Sequence, residues 1–333
     1  MVSLVLVAGA GGFIGGQLVR DLEQQGIAVR AVDRKPIEDW YYRSLKAENL
    51  VLDLKDIESC NISTQGVTQV YNLAADMGGM GFIEHNKALC MLSVLINTHL
   101  LMASRDNGVE RFFFASSACV YPDYRQGEIA IEPLKESDAY PAAAEDGYGW
   151  EKLFSERMCR HFREDYGIRT RIARYHNVYG PYGTWDGGRE KAPAAICRKV
   201  ATALIDGGKR IEIWGDGEQT RSFMYIDDCL KGSQMLMRSD FDAPLNIGSD
   251  EMVSINQLLD IVEAIAGARL RRSYKLDAPT GVRGRNSDNT LIKKSLNWAP
   301  SISLREGMEK TYRWIYDQAK ARAEGRPFVA AYE

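Results

Sequence analysis

Along the first half of the chain, short uninterrupted apolar runs alternate with longer stretches whose apolar residues recur every three or four positions. The runs are Leu4–Val7, Ala28–Val32, Leu50–Leu52, Gln69–Leu73 and Arg111–Ala115. A run without polar alternation is a strand covered on both faces, and helix-period segments between such runs supply the cover. The pattern predicts an α/β chain with a doubly wound parallel sheet. Phe82–Arg105 keeps helical spacing up to a stop at Gly108, which predicts one long helix lying on the sheet. A second helix over Tyr148–Tyr166 leads into a strand at Arg169–Arg174.

The alternation breaks after Tyr179. Gly180–Lys191 is rich in Gly, Pro and charge, the composition of a binding loop. Beyond it, Ser222–Ile226 and Pro244–Ile247 read as further sheet strands, while Ser254–Ala266, Asn289–Leu296 and Leu304–Ala321 read as helices of a smaller lobe. Gly325–Glu333 reads as a loosely held tail.

With 333 residues, 45% hydrophobic and 26% charged, the chain is long enough for about two domains of ordinary globular composition. Lys and Arg number 42 against 45 Asp and Glu, and no dense basic block occurs, so no nucleic-acid or membrane partner is expected. A small-molecule substrate is the better expectation. Six cysteines, 29 to 40 residues apart and without a C-x-x-C pair, read as reduced cytosolic thiols. The four histidines lack metal-ligand spacing, so no metal site is expected, and no stretch is expected to reach the ~20 apolar residues of a membrane span. A strand-like start at Ser3–Val7 leaves no room for a cleavable leader, which predicts a cytoplasmic protein.

Candidate chemistry begins where the first strand ends. Gly9, Gly12 and Gly15, with Phe13 and Ile14 between the last two, form a G-x-x-G-x-x-G turn into a helix. Glycines there permit a tight turn and close approach of a pyrophosphate to a helix N-terminus. Asp33 ends the second strand and can accept from a ribose 2′-hydroxyl while repelling a 2′-phosphate, which favours NAD over NADP. Asp53 and Leu54 follow the third strand, where an adenine would lie, and Asn72–Ala75 ends the fourth at the same crevice. Tyr148 and Lys152 stand one helical turn apart, so a fixed cation can favour the phenolate and reach nicotinamide ribose hydroxyls. An isolated Y-x-x-x-K pair is an ordinary surface pair. Here it follows the glycine turn, Asp33 and Ser116-Ser117 in the order that a hydride-transfer enzyme needs.

These residues together resemble the extended short-chain dehydrogenase/reductase family, in its nucleotide-sugar epimerase branch. Six further stretches carry the likeness over nearly the whole chain: 72–82, 116–122, 187–195, 215–223, 246–254 and 281–289. The resemblance implies a Rossmann-type NAD-binding domain over 1–178, to which the chain returns at about 222–247. It also implies a mixed α/β substrate lobe over 179–221 and 248–322, a tail over 323–333, and a homodimer. It implies NAD, a GDP-hexose substrate, transient oxidation at C4 and proton exchange at C5 and C3. Tyr148, Lys152 and Ser117 would then perform hydride chemistry, and Cys119 and Lys191 would exchange protons from opposite sides of the sugar. Gly78, Gly79 and Gly81 would let the hexose approach. Ala118, Asn177, Glu190, Ala192, Lys199, Gln219, Thr220, Arg221 and Arg285 would hold the GDP-sugar, with Arg285 toward the ribose. Two other readings remain: a GDP-4-keto-6-deoxymannose 3,5-epimerase/4-reductase using NADPH, against which Asp33 and Glu190-Lys191 argue, and a non-catalytic NAD sensor, against which Tyr148 and Lys152 argue.

Overall fold

The computed structural model describes residues 3–326. Its first half winds β1 (Leu4–Ala8), α1 (Phe13–Gln24), β2 (Ala28–Asp33), β3 (Glu48–Val51), α2 (Ile57–Thr64) and β4 (Gln69–Asn72). Then come α3 (Met80–His85), α4 (Lys87–Met91), α5 (Ser93–Asp106), β5 (Arg111–Ser117), α6 (Asp146–Tyr166) and β6 (Arg169–Tyr175). The strands pair in parallel in a seven-stranded sheet whose order is completed below. β5 shows why its run has no polar alternation: Phe112 and Phe114 are buried on one face with Leu6 and Val32, and Phe113 on the other with Val5 and Val7. Both faces are core, and burying each ring contributes roughly 1.5–3 kcal/mol.

Where one helix is expected over Phe82–Arg105, the chain forms three segments. Asn86 leaves helical geometry (φ −134°, ψ 39°) and its amide nitrogen donates to the Phe82 carbonyl at 2.9 Å. A short polar side chain that bonds the backbone competes with the helical ladder, and apolar spacing does not register that. A second turn falls at Leu92. Counted through that turn, Lys87–Asp106 does reach the length of a membrane span, with mean hydropathy 1.4, contrary to the sequence expectation. Its Ile96, Leu100 and Leu101 are buried against the sheet, which accounts for the apolar composition.

The second half contains β7 (Val178–Tyr179), α7 (Ala192–Ile205), β8 (Arg210–Trp214), β9 (Thr220–Ser222), β10 (Met224–Tyr225), α8 (Ile226–Arg238) and β11 (Pro244–Ile247). After these come β12 (Met252–Ser254), α9 (Ile255–Ala266), β13 (Arg271–Lys275), β14 (Gly284–Arg285), α10 (Thr290–Leu296) and α11 (Leu304–Ala323). The main sheet runs β11-β6-β5-β4-β1-β2-β3. Pro244–Ile247 thus joins it as expected. Ser222–Ile226 does not: Thr220–Ser222 pairs with β12 and β14, Met224–Tyr225 pairs with β7, and Ile226 already starts a helix. These strands are two or three residues long, too short for periodicity to identify their partners. α9 is fixed at both ends, by a Ser254–Gln257 capping box and by Gly267 at φ 65°. Of the expected tail, residues 327–333 lie outside the described residues.

Candidate active site

A groove of about 330 Å³ opens at the carboxyl ends of the sheet strands, at the neighbours β1 and β4, from which the strand order runs outward in opposite directions. That is the position at which doubly wound sheets take dinucleotides. Gly9, Gly12, Phe13, Ile14, Gly15, Asp33, Asp53, Leu54, Tyr148 and Lys152 all line it. Gly9 sits at φ 86°, and a Cβ there would come within 2.9 Å of the Ala74 amide. A Cβ on Gly15 would run into the Gly9 carbonyl. Both glycines are therefore required by the turn itself. The two Asp33 oxygens accept the Gly11 and Lys35 amides, each at 3.0 Å, which fixes the carboxylate at the rim where a ribose would rest. The donors and the glycine cradle fit an NAD molecule.

Four charged residues outside the expected site set also line this groove: Arg34, Lys35, Asp76 and Arg189. Asp76, buried, accepts from Arg34 and from Lys55 Nζ (2.8 Å), and Arg189 stacks on Phe82. Asp76 and Arg189 lie within the stretches 72–82 and 187–195 that carry the family likeness, but the sequence alone assigned neither charge a role.

The residues expected to transfer hydride meet at the inner end. α6 begins against the turn 118–120, and Glu145 N–H donates to the Cys119 carbonyl at 2.9 Å. Gly149 allows this approach, since a Cβ there would strike the same carbonyl. Ser117 Oγ accepts the Cys119 amide at 3.2 Å and also bonds the Tyr148 phenol. Lys152 Nζ lies 4.8 Å from the centre of the Phe114 ring and 5.5 Å from that of Tyr148. The expected phenolate-favouring effect of this cation is overridden. Burial, with Cys119 and Glu151 nearby, pushes the Tyr148 hydroxyl well above its ordinary value, and the Ser117 bond opposes only part of that.

Cys119 and Tyr148 belong to one small apolar cluster with Ile83 and Cys90. Burial, followed by the Glu145 charge, pushes the Cys119 thiol up to about 11. Lys191 lines the groove as the N-cap of α7, and burial lowers its ammonium below the usual lysine range. A proton-bearing thiol and an amine with a weakened hold on its proton thus stand near enough to feel each other's charge, the amine lining the groove and the thiol just behind Ser117 and Tyr148.

The glycine segment is held by protein contacts. Gly79 caps α3, its N–H donates to the Arg189 carbonyl at 3.0 Å, and a Cβ there would enter the Glu190 carbonyl. Gly78 also lines the groove, while Gly81 faces the Trp214 ring. Glu190 accepts from Gly188 N–H and Arg198, both at 2.7 Å, and Ala192 opens α7. Ala118 is buried beside Cys119.

The remaining sugar-binding candidates are not brought into the groove. Asn177, at φ 44°, donates to the Ser222 carbonyl, Lys199 to that of Glu212, and Gln219 to that of Trp214. Thr220 bonds the Ile129 carbonyl, and Arg221 bonds those of Thr220, Thr280 and Val282. Burial, then the neighbouring Arg285 charge, lowers Arg221 to about 9. Arg285, expected toward the ribose, lies against the thiol: Nη1 is 3.6 Å from Cys119 Sγ and Nη2 is 2.6 Å from Glu145 Oε2. β14 delivers it there by pairing with β9. Among the described residues, no group of three or more His, Cys, Asp or Glu side chains could hold a metal.

A parallel sheet with this glycine turn, Asp33 and a Ser-Tyr-Lys set defines an NAD-dependent enzyme of the epimerase and dehydratase type. Residues 5–248 match the model of the NAD dependent epimerase/dehydratase family, and the chain belongs to that family. NAD is its cofactor. The chain is 49% identical over 323 residues to GDP-mannose 3,5-epimerase of Arabidopsis thaliana, covering 96% of this chain and 84% of the relative. It is 48% identical over 329 residues to GDP-mannose 3,5-epimerase 1 of Oryza sativa subsp. japonica, covering 98% and 85%. Among solved structures, UDP-glucose 4-epimerase of Thermotoga maritima matches with TM-score 0.84 and 26% identity over 94% of this chain and 99% of that one.

Proposed function

We propose that this chain converts GDP-D-mannose to GDP-L-galactose, with GDP-L-gulose as a second product. One observation carries the reading: a thiol, Cys119, shares an apolar cluster with Tyr148 where hydride chemistry takes place. The names of the two plant relatives support it. The C–H bonds at C3 and C5 of a hexose are not acidic, whereas a ketone at C4 makes both neighbours removable as an enolate forms. When bound, NAD supplies the hydride-accepting carbon and a positive charge. The positive charge of bound NAD, added to that of Lys152, would offset the burial that raises the phenol, so that Tyr148 as phenolate takes the proton of the C4 hydroxyl while Ser117 holds that oxygen and stabilises the charge that develops on it. Lys152 would hold the ribose hydroxyls of the cofactor. Lys191 accepts a ring proton and Cys119 returns one from the opposite side. NAD would supply both the acceptance and the return of the hydride, so the reaction needs no net oxidant or reductant. Asn177, Lys199, Gln219 and Arg221 hold the nucleotide and diphosphate once these side chains, which bond backbone carbonyls in the structure, turn to the ligand, while Glu190 stays paired with Arg198 and Arg285 stays beside Cys119.

The test is NMR of the products formed from GDP-mannose by the purified protein without added nicotinamide. Galactose- and gulose-configured GDP-sugars are expected. Unchanged GDP-mannose, or a stoichiometric demand for NADPH, overturns the reading.

The chain acts as a homodimer in this reading, through α4, α5 and α6. Met91, Leu92, Leu95, Trp150 and Phe154 are exposed there, Phe154 by 56%, and such a patch favours a partner. Trp150→Glu with Phe154→Glu should halve the mass seen by light scattering. A cytoplasmic location fits six cysteines that are all free thiols; cell fractionation tests it.

A further inference from the structure

The reading above uses Cys119 but not the carboxylate beside it. Glu145 is buried, directly precedes α6 and ties its own N–H to the Cys119 carbonyl. Its Oε2 meets Arg285 Nη2 at 2.6 Å, while Arg285 Nε is held by Gln126 Oε1 at 2.7 Å and Nη1 reaches Cys119 Sγ at 3.6 Å. One guanidinium is thus shared between a carboxylate and a thiol, with its third edge fixed by a neutral amide.

We propose that Glu145 is a positioning residue for proton exchange: by balancing the Arg285 charge, it keeps Cys119 in the S–H form that donates to the sugar. The inference rests on the proposed reaction for its purpose, but the charge balance itself does not. An unbalanced guanidinium this close to sulfur would favour the thiolate, and a thiolate has no proton to give. In the donating step the S–H bond breaks and a C–H bond forms from the enolate's electron pair. The negative charge moves to sulfur, where Arg285 is already in place to receive it.

The other charged or titratable groups that face the thiol are Tyr148 from α6, Lys191 at the start of α7 and Arg221 from β9. The two cations also favour a thiolate, which leaves Glu145 as the anion that opposes them. Burial works to raise the Glu145 carboxyl, but the Arg285 charge and hydrogen bond outweigh it, so the balancing charge is present at neutral pH.

The experiment alkylates full-length protein, with its bound NAD and without sugar, using iodoacetamide across pH, and reads modification at residue 119 by peptide mass spectrometry. Glu145→Gln should move the midpoint of that profile down by about 1–3 pH units, the range for an opposite charge at contact distance. Arg285→Gln should move it up, Glu145→Gln with Arg285→Gln should return it toward wild type, and Glu145→Asp should leave it near wild type. With GDP-mannose in D₂O, the alkaline limb of deuterium incorporation should shift down in Glu145→Gln by the same amount as the alkylation midpoint. A Glu145→Gln profile superimposable on wild type overturns the proposal, as does activity lost equally at every pH. If Glu145→Gln does not fold, the Arg285→Gln arm decides, and an unmoved or lowered midpoint there overturns it. Because alkylation needs no sugar, opposite shifts in a protein inactive on GDP-mannose would uphold the charge balance and overturn only the substrate.

Discussion

The proposed hydride site rests on an ion pair that water cannot reach. Glu156 on α6 accepts Arg174 Nη2 at 2.7 Å and Nε at 2.9 Å, and takes the Ser116 hydroxyl at 2.5 Å. Arg174 on β6 also donates to the Glu136 carbonyl at 2.8 Å, and its guanidinium carbon lies 5.2 Å from the centre of the Tyr121 ring. Both side chains are at most 3% exposed. Glu156→Gln removes the negative charge and leaves a guanidinium buried without its counter-ion. Removing one partner of such a pair costs about 3–5 kcal/mol, at least about a fifth of the ~5–15 kcal/mol that holds a typical fold. Arg174→Met strands the carboxylate and should cost a similar amount. Glu156→Leu with Arg174→Met buries no charge, so it should cost less than either single change. Urea unfolding at equilibrium, read by tryptophan fluorescence, supplies the three values. Costs near or below ~1 kcal/mol for both singles, or a double variant that adds them, would refute the argument, since either result means that the pair is effectively solvated.

Three shorter predictions follow from the site. Tyr148→Phe should abolish deuterium entry into GDP-mannose in D₂O although Cys119 and Lys191 remain, with a loss of at least ~10²–10⁴-fold, because the ketone that acidifies the ring protons is never made; NMR reads the label. Gly15→Ala places a methyl group in the Gly9 carbonyl, so the turn must shift and retention of NAD should fall about tenfold or more, measured by absorbance of heat-released nucleotide. His176 is buried with Nε2 3.0 Å from Asn246 Oδ1, and burial holds its imidazole down to about 3 from 6.5. The unfolded chain therefore binds a proton that the folded one refuses, and stability should fall as the pH drops from about 6.5 toward 3. His176→Gln should flatten that part of the denaturation profile, and an unchanged slope would show that the histidine is not the cause.

What could be read from sequence follows the range of the interactions involved. The cofactor groove is made of strand ends and a turn that are each local, so Gly9, Gly15, Asp33 and Tyr148 were recognisable in place, and all ten expected cofactor residues line it. Arg285 was recognisable as a site residue but not its seat, because that depends on β14 pairing with β9, two segments more than 60 residues apart. Glu145 carries no motif; its meaning comes from a guanidinium 140 positions later. The break at Asn86 escaped because apolar spacing continues through it while the backbone does not. Periodicity likewise gave no hint that β8 and β13 pair, since their partnership fixes neither strand's own pattern.

Glu145, Tyr148 and Lys152 stand on less than two turns at the start of α6, whose first residues are locked to the Cys119 carbonyl. In the proposed reaction, the groups that govern electron-pair transfer and those that govern proton exchange therefore share one rigid frame of reference. A slide of this helix that improved the reach of the phenol would move the carboxylate off the thiol's guanidinium. Variation that retunes one half-reaction is accordingly confined to residues outside this stretch, and laboratory selection for a new sugar should accumulate changes in the 187–195 and 215–223 loops before it touches the helix start.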